Sequence, residues 1–284
     1  MPCGTRTIAK PLPLIVNQIE KPLKRNKLRQ IFGKEYFVLK RKFNWLFDNK
    51  HYSKTRIQEN FTNLVFEHQS LILRPLLGVD MKLQRNKKKN LEIAVKNINK
   101  IEIQPNETLS LWKLIGRPTK QKGYLEGLVL KNGKIDSGIG GGLCQLGNLM
   151  FWIFAHSPLT ITERYRHGYD VFPGVNRKVP FGAGATLAYN YIDLQITNKT
   201  ENSFNIELFV NQTHLVGKLY SKNKIETEYK IEERNHKILR QIWGGYSRHN
   251  QIFKISKDSN SKKEELIVEN HAIMMYEPIL EEKN

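Results

Sequence analysis

Between Lys21 and Asn49 the apolar residues, Ile31, Phe32, Phe37, Trp45, Leu46 and Phe47 among them, recur at about three- and four-residue steps amid Lys24, Arg25, Lys27, Arg29, Lys40, Arg41 and Lys42. That spacing predicts a basic, aromatic-flecked helix. The run Arg85, Lys87, Lys88, Lys89 lacks apolar partners and reads as an exposed turn between Gln84 and Asn90, followed by a helix over Leu91 to Asn99. Leu128-Val129-Leu130 ahead of Asn132-Gly133 predicts a strand entering a hairpin turn. After three glycines, Leu146, Leu149, Met150, Ile153 and Phe154 line one side of a second helix. Alternation then takes over. Ile192, Leu194 and Ile196, then Phe204, Ile206, Leu208 and Val210, then Leu215, Gly217 and Leu219 predict three strands of an antiparallel meander. From about Lys222 the chain is charged and weakly patterned, with Trp243-Gly244-Gly245-Tyr246 as its distinctive turn, and no internal repeat is visible.

These patterns give an α+β fold: an antiparallel sheet with a buried helix following a glycine-rich loop. They divide the chain into a basic, mainly helical N-terminal extension (1–82), a central domain (83–220) and a loosely attached, charged C-terminal segment (221–284). At 284 residues the chain can bury a sizeable core without staples. Its two cysteines, Cys3 and Cys144, read as free thiols. No window approaches the roughly 18 apolar residues of a membrane span, and Pro11 to Val16 is too short for a signal core, so the expected location is the cytoplasm.

A formal charge of +19 favours anionic partners. The basic N-terminal third fits the inner membrane surface or an anionic polymer, although a charged helix face is commonly only solvated. Nucleic acid is the weaker expectation, because no recognised nucleic-acid motif accompanies the charge.

Candidate chemistry concentrates at Gly140-Gly141-Gly142-Leu143-Cys144-Gln145. Glycine amides ahead of a helix N-terminus form an oxyanion or anion cradle, and a cysteine in the first helical turn is biased toward thiolate. Asn148 shares the face of Cys144 one turn on and is placed to orient a reacting group, and Gln145 offers a side-chain donor. Two histidines follow. His156 ends the helix and reads as a cap, whereas His167, in the polar cluster from Glu163 and Arg164 to Asp170, is the candidate base. Neither a metal nor an organic cofactor is expected. The bland alternative is a small buried thiol beside a tight glycine turn.

The order of these motifs resembles the VanW family associated with vancomycin-resistance gene clusters. Gly138 to Gln145 is preceded by Asn106-Glu107-Thr108-Leu109-Ser110 and followed by Glu163-Arg164, His167, Gly182, Ala185-Thr186 and Tyr191-Ile192-Asp193-Leu194. The resemblance runs from about Leu83 to Tyr220. It implies a peptidoglycan connection, and some members are understood to be L,D-transpeptidases acting through the motif cysteine. On that analogy Cys144 is the nucleophile, His167 the base, and Gly140, Gly141 and Gly142 the oxyanion donors, with Gln145, Asn148, Glu163 and Arg164 binding a stem peptide or wall precursor. The rival is a non-catalytic module that holds such a precursor, or another anionic ligand, in the same place. Two positions depart from the family pattern: Gly147, where serine is common, and Gly184, where an acid often precedes Ala-Thr.

Overall fold

The computed structural model describes residues 26–57, 59, 61–73, 80–131, 133–171, 179–189 and 191–278. Cys3, Lys21, Lys24, Arg25, Asn132 and the Pro11 to Val16 run lie outside them. In chain order the first half forms α1 (Lys27–Phe47), β1 (His51–Tyr52), β2 (Asn63–Leu71), α2 (Met81–Ile98), β3 (Ile101–Ile103), β4 (Glu107–Ser110), α3 (Leu111–Ile115), β5 (Glu126–Lys131) and β6 (Lys134–Ile139). The second half forms α4 (Cys144–Ala155), β7 (Thr160–Glu163), β8 (Tyr169–Asp170), β9 (Gln195–Thr197), β10 (Phe204–Val210), β11 (His214–Ser221), β12 (Glu228–Arg240), β13 (Tyr246–Lys257) and β14 (Lys262–Met274). Among the described residues no helix is long and apolar enough to cross a membrane.

The fold is mixed α+β. Its central sheet runs β2-β11-β10-β3, antiparallel throughout. Helix α4 carries Leu146, Leu149, Met150, Ile153 and Phe154 into the core and seats them on this sheet. The seat is close because β11 offers Gly217 at the contact: a Cβ there would lie 2.6 Å from Ile153 and 2.9 Å from Leu149. A second sheet, β1-β4-β9-β7, a third, β12-β13-β14-β8, and the β5-β6 hairpin complete the molecule.

The expected hairpin is present, with Lys131 paired to Lys134 around Gly133 at φ 76°. The expected three-stranded meander is not. The second and third of its runs pair as β10 and β11, but the first supplies β9, which lies between β4 and β7 in another sheet. Alternation shows which face of a strand is buried without saying which strand it will join.

The expected boundaries also shift. Asp80 caps a helix that starts at Met81 rather than Leu91, its side chain accepting from the Lys82 amide at 2.8 Å. The basic run assigned to a turn lies within that helix, Arg85 and Lys89 exposed and Lys87 and Lys88 part-buried, while Gln84, Leu91, Val95 and Ile98 form its buried face. Among the described residues of the N-terminal stretch, α1 is followed by strands that join the body: β2 pairs along its length with β11, and β1 runs parallel to β4.

The C-terminal stretch is the larger correction, since it builds three strands of 12 to 13 residues. They join the body through β14, which runs parallel to β8, with the Ile273 amide donating to the Gly168 carbonyl at 2.8 Å. The alternation is hidden because many of its buried positions are polar (Ser247, His249, Asn250, Gln251, Asn270) and because bulges fall at Arg234/Lys237 and Ile252/Phe253.

Candidate functional site

Loop 140–143 is shaped by close backbone crossings. Gly127 of β5 and Gly141 pass so near each other that a Cβ on Gly141 would stand 2.1 Å from the Gly127 carbonyl, and one on Gly127 would stand 2.4 Å from the Gly141 oxygen. Gly140 and Gly142 have φ values of 75° and 93°, a region where side chains are strained. Asn90 of α2, fully buried, clamps the crossing: its Nδ2 donates to the carbonyls of Leu125 (3.0 Å) and Gly141 (2.9 Å), and its Oδ1 accepts from the Leu125 amide at 2.8 Å.

This packing corrects the cradle expected from three open amides. The Gly140 amide donates to Leu125 and the Gly141 amide to Gly138, both at 3.0 Å. Gln145, Leu146 and Gly147 donate to the Gly142 and Leu143 carbonyls, continuing the helix backwards. Among the described residues, the amides of Gly142 and Leu143 make no backbone hydrogen bond.

Cys144 opens α4, part-buried and packed against the core. Its Sγ lies 3.5 Å from the Leu187 amide, which donates to it, and 3.7 Å from the Leu187 carbonyl. Burial pushes the thiol above its ordinary value, outweighing the Leu187 and Cys144 amides and the charge of Arg166, all of which pull it down. The expectation of a standing thiolate is therefore corrected: desolvation exceeds the stabilisation that the helix start supplies, and the free protein holds a thiol.

The segment 182–187 runs along this end of α4. Asn148 accepts the Ala185 amide at 3.0 Å, the Thr186 amide donates to the Tyr165 carbonyl at 2.8 Å, and Thr186 Oγ1 accepts the His167 amide at 3.0 Å. Thr186 and Leu187, adjacent in sequence, thus hold His167 and Cys144. The two departures from the family pattern meet at this contact. A Cβ on Gly147 would lie 2.9 Å from the Ala185 carbonyl, and one on Gly184 only 2.2 Å from Asn148 Oδ1, so glycine at both positions lets the segment lie tight on the helix.

Burial and the neighbouring Arg166 lower the His167 imidazole to about 4, so it is neutral at physiological pH. Its Nδ1 is enclosed without a hydrogen-bond partner. His156 caps α4, its Nδ1 2.8 Å from the Trp152 carbonyl and its ring stacked on Phe66.

The remaining candidates hold structure together. Gln145 Nε2 donates to Ser70 Oγ (2.9 Å) and to the Leu71 carbonyl (3.0 Å), tying α4 to β2. Glu163 is paired with Arg41 of α1, Nη1 donating to Oε2 at 2.7 Å. Arg164 is buried: its Nε donates to the Gly184 carbonyl at 2.8 Å, and Nη2 reaches the Gly182 carbonyl and, at 3.1 Å, Asn270 Oδ1 of β14. The residues missed by sequence reasoning are Asn90, Leu187 and Asn270. Asn90 sat within a supposed turn, Leu187 acts through its backbone, and Asn270 lies in a stretch with no visible pattern.

Residues 86–220 match the family model described as VanW like protein. The chain is 34% identical over 200 residues to the vancomycin B-type resistance protein VanW of Enterococcus faecalis, covering 70% of this chain and 73% of that protein. It is 27% identical over 159 residues to the protein YoaR of Bacillus subtilis, covering 56% of this chain and 51% of the relative. No solved structure matches.

Proposed function

This chain belongs to the VanW family, and on that footing we propose that it works on the cell wall as a cysteine acyltransferase of L,D-transpeptidase type. Cys144 Sγ attacks a stem-peptide carbonyl, the C–N bond breaks, and a thioester forms. The thiol proton passes by way of His167 to the leaving amine. An acceptor amine then displaces the sulfur, which recovers a proton, and a new amide results.

The observation that carries this reading is the shared mooring of Cys144 and His167 on Leu187 and Thr186. A neutral imidazole is in its base form, and its unpartnered Nδ1 has a lone pair to receive the proton. Because the free thiol is protonated, deprotonation is coupled to substrate arrival: binding draws Leu187 off the sulfur and brings the carbonyl oxygen to the Gly142 and Leu143 amides.

The test is turnover of a wall tetrapeptide donor with an amine acceptor, followed by product mass. Cys144→Ala abolishes product, and His167→Ala lowers the rate about 10²- to 10⁴-fold while His156→Ala spares it. Product formation by Cys144→Ala overturns the reading. A second reading, a module that holds a wall precursor without chemistry, is favoured by the engagement of the Gly140 and Gly141 amides and of Gln145 in internal bonds. It predicts that Cys144→Ser keeps its affinity for precursor and that the native chain has no turnover.

A further inference from the structure

Helix α1 lies against the body by one face only. Val38 is buried, Trp45 packs on the core, Arg41 pairs with Glu163, and Phe37 stacks on Tyr191 with ring centroids 4.8 Å apart. On another face Leu28, Phe32, Tyr36, Leu39, Phe43 and Leu46 follow at steps of four, four, three, four and three residues, which aligns them in one stripe along the helix. Each is 60% to 78% exposed. Large apolar side chains scattered singly on a surface need no explanation; six in line along five turns of one helix do.

The charges that flank the stripe indicate what covers it. At 100° per residue, Arg29 and Lys40 fall on one margin of the stripe and Lys42 on the other, and among the described residues none of the three makes an ion pair. The acidic residue of this helix, Glu35, is already paired with Arg117 at 3.1 Å. A continuous apolar ridge between cationic margins complements an acyl layer roofed by anionic headgroups, which is the pattern of a helix lying in a membrane interface. A protein groove has no general need for cationic charge on both margins. The net charge of +19 adds long-range attraction to the same surface.

We infer that α1 is a docking surface for an anionic lipid bilayer, lying in the plane of the interface with Phe32, Leu39 and Phe43 inserted and Arg29, Lys40 and Lys42 on the headgroups. The contact is peripheral and reversible, since the helix is amphipathic rather than apolar all round. It is independent of the chemistry assigned to Cys144.

The experiment is co-sedimentation of the full chain with vesicles of phosphatidylcholine alone or with added phosphatidylglycerol, alongside light scattering without lipid. The native chain binds the anionic vesicles and is released by salt. Phe32→Asp, Leu39→Asp and Phe43→Asp combined lower binding more than about tenfold. Changing Arg29, Lys40 and Lys42 to Gln weakens it about fivefold for each charge removed. All six side chains project away from the core, so an unchanged thermal transition certifies that both variants are folded. Three results overturn the inference: equal binding to neutral and anionic vesicles; unchanged binding by the Asp variant; or no vesicle binding by a dimer that the Asp variant converts to monomer, which assigns the stripe to a second copy. Vesicle binding that appears only after deletion of residues 1–25 also overturns it, since the chain itself then occupies the face.

Discussion

At the scale of single residues, the motif cysteine was visible from its neighbours and its protonation state was not. A cysteine after glycines at a helix start reads as a thiolate, because the partial charge of the helix end is apparent in the sequence. The opposing quantity, desolvation, depends on what covers the sulfur, and the cover comes from Leu187, 43 residues away. The structure therefore predicts slow alkylation of Cys144 by iodoacetamide at neutral pH in the free protein, with the rate still rising at pH values where an ordinary thiol, with a pKa of about 8.5, has levelled off. Peptide mass spectrometry reads the rate, and Cys3 in the same sample provides an internal comparison. A Cys144 that alkylates faster than Cys3 below neutral pH contradicts the assignment of a protonated resting thiol.

Among elements, the glycine-rich loop and the helix after it were legible, but the use of the glycines was not. Three glycines in a row suggest open amides. Here two of those amides are closed by Leu125 and Gly138, and the absence of a side chain serves the crossing with Gly127. Only the partner strand reveals that, and no local pattern announces it. Gly141→Ala is expected to destabilise the fold by about 3 kcal/mol, because the atoms it meets are backbone and cannot rotate away. Asn90→Ala removes three hydrogen bonds and leaves the Leu125 amide and the Gly141 carbonyl without them, at a cost of about 2 kcal/mol. Urea unfolding midpoints measure both. Loss of less than about 0.5 kcal/mol in either variant removes this account of the loop.

Across the whole molecule, the central sheet was partly readable because its buried positions are apolar, and the C-terminal sheet was unreadable because its buried positions are polar. That sheet reaches the candidate site, since Asn270 accepts from Arg164 and β14 lies beside β8, directly after His167. Its polar interior also makes stability depend on pH. His249 is lowered to about 4, chiefly by burial and then by its neighbour His271, and His167 is likewise lowered to about 4. An imidazole lowered on folding stabilises fully above its unfolded value of about 6.5, and that contribution is lost as pH falls through 4. Asp193, raised to about 6 chiefly by burial, acts in the opposite sense: its contribution is greatest at low pH and is lost as pH rises through 6. His68, His156, His236 and His271 are also lowered by burial, so the histidines together outweigh Asp193 and predict a melting temperature that falls between pH 6.5 and 4. His249→Gln, which keeps an acceptor for Ser247, makes the slope shallower whatever its effect at pH 7.5. An unchanged slope would show that His249 is not among the titrating groups.

The proposed chemistry comes down to one atom, the sulfur of Cys144, and the most direct measurement is the intact mass of the folded chain after brief incubation with a wall tetrapeptide and no acceptor amine. The expected result is an added mass equal to the donor peptide less its leaving amino acid. Fragmentation should locate the adduct at Cys144, hydroxylamine should release it as a thioester, and Cys144→Ala should lack it. An unmodified native chain that nevertheless binds the tetrapeptide would contradict the account and leave this site a place of recognition.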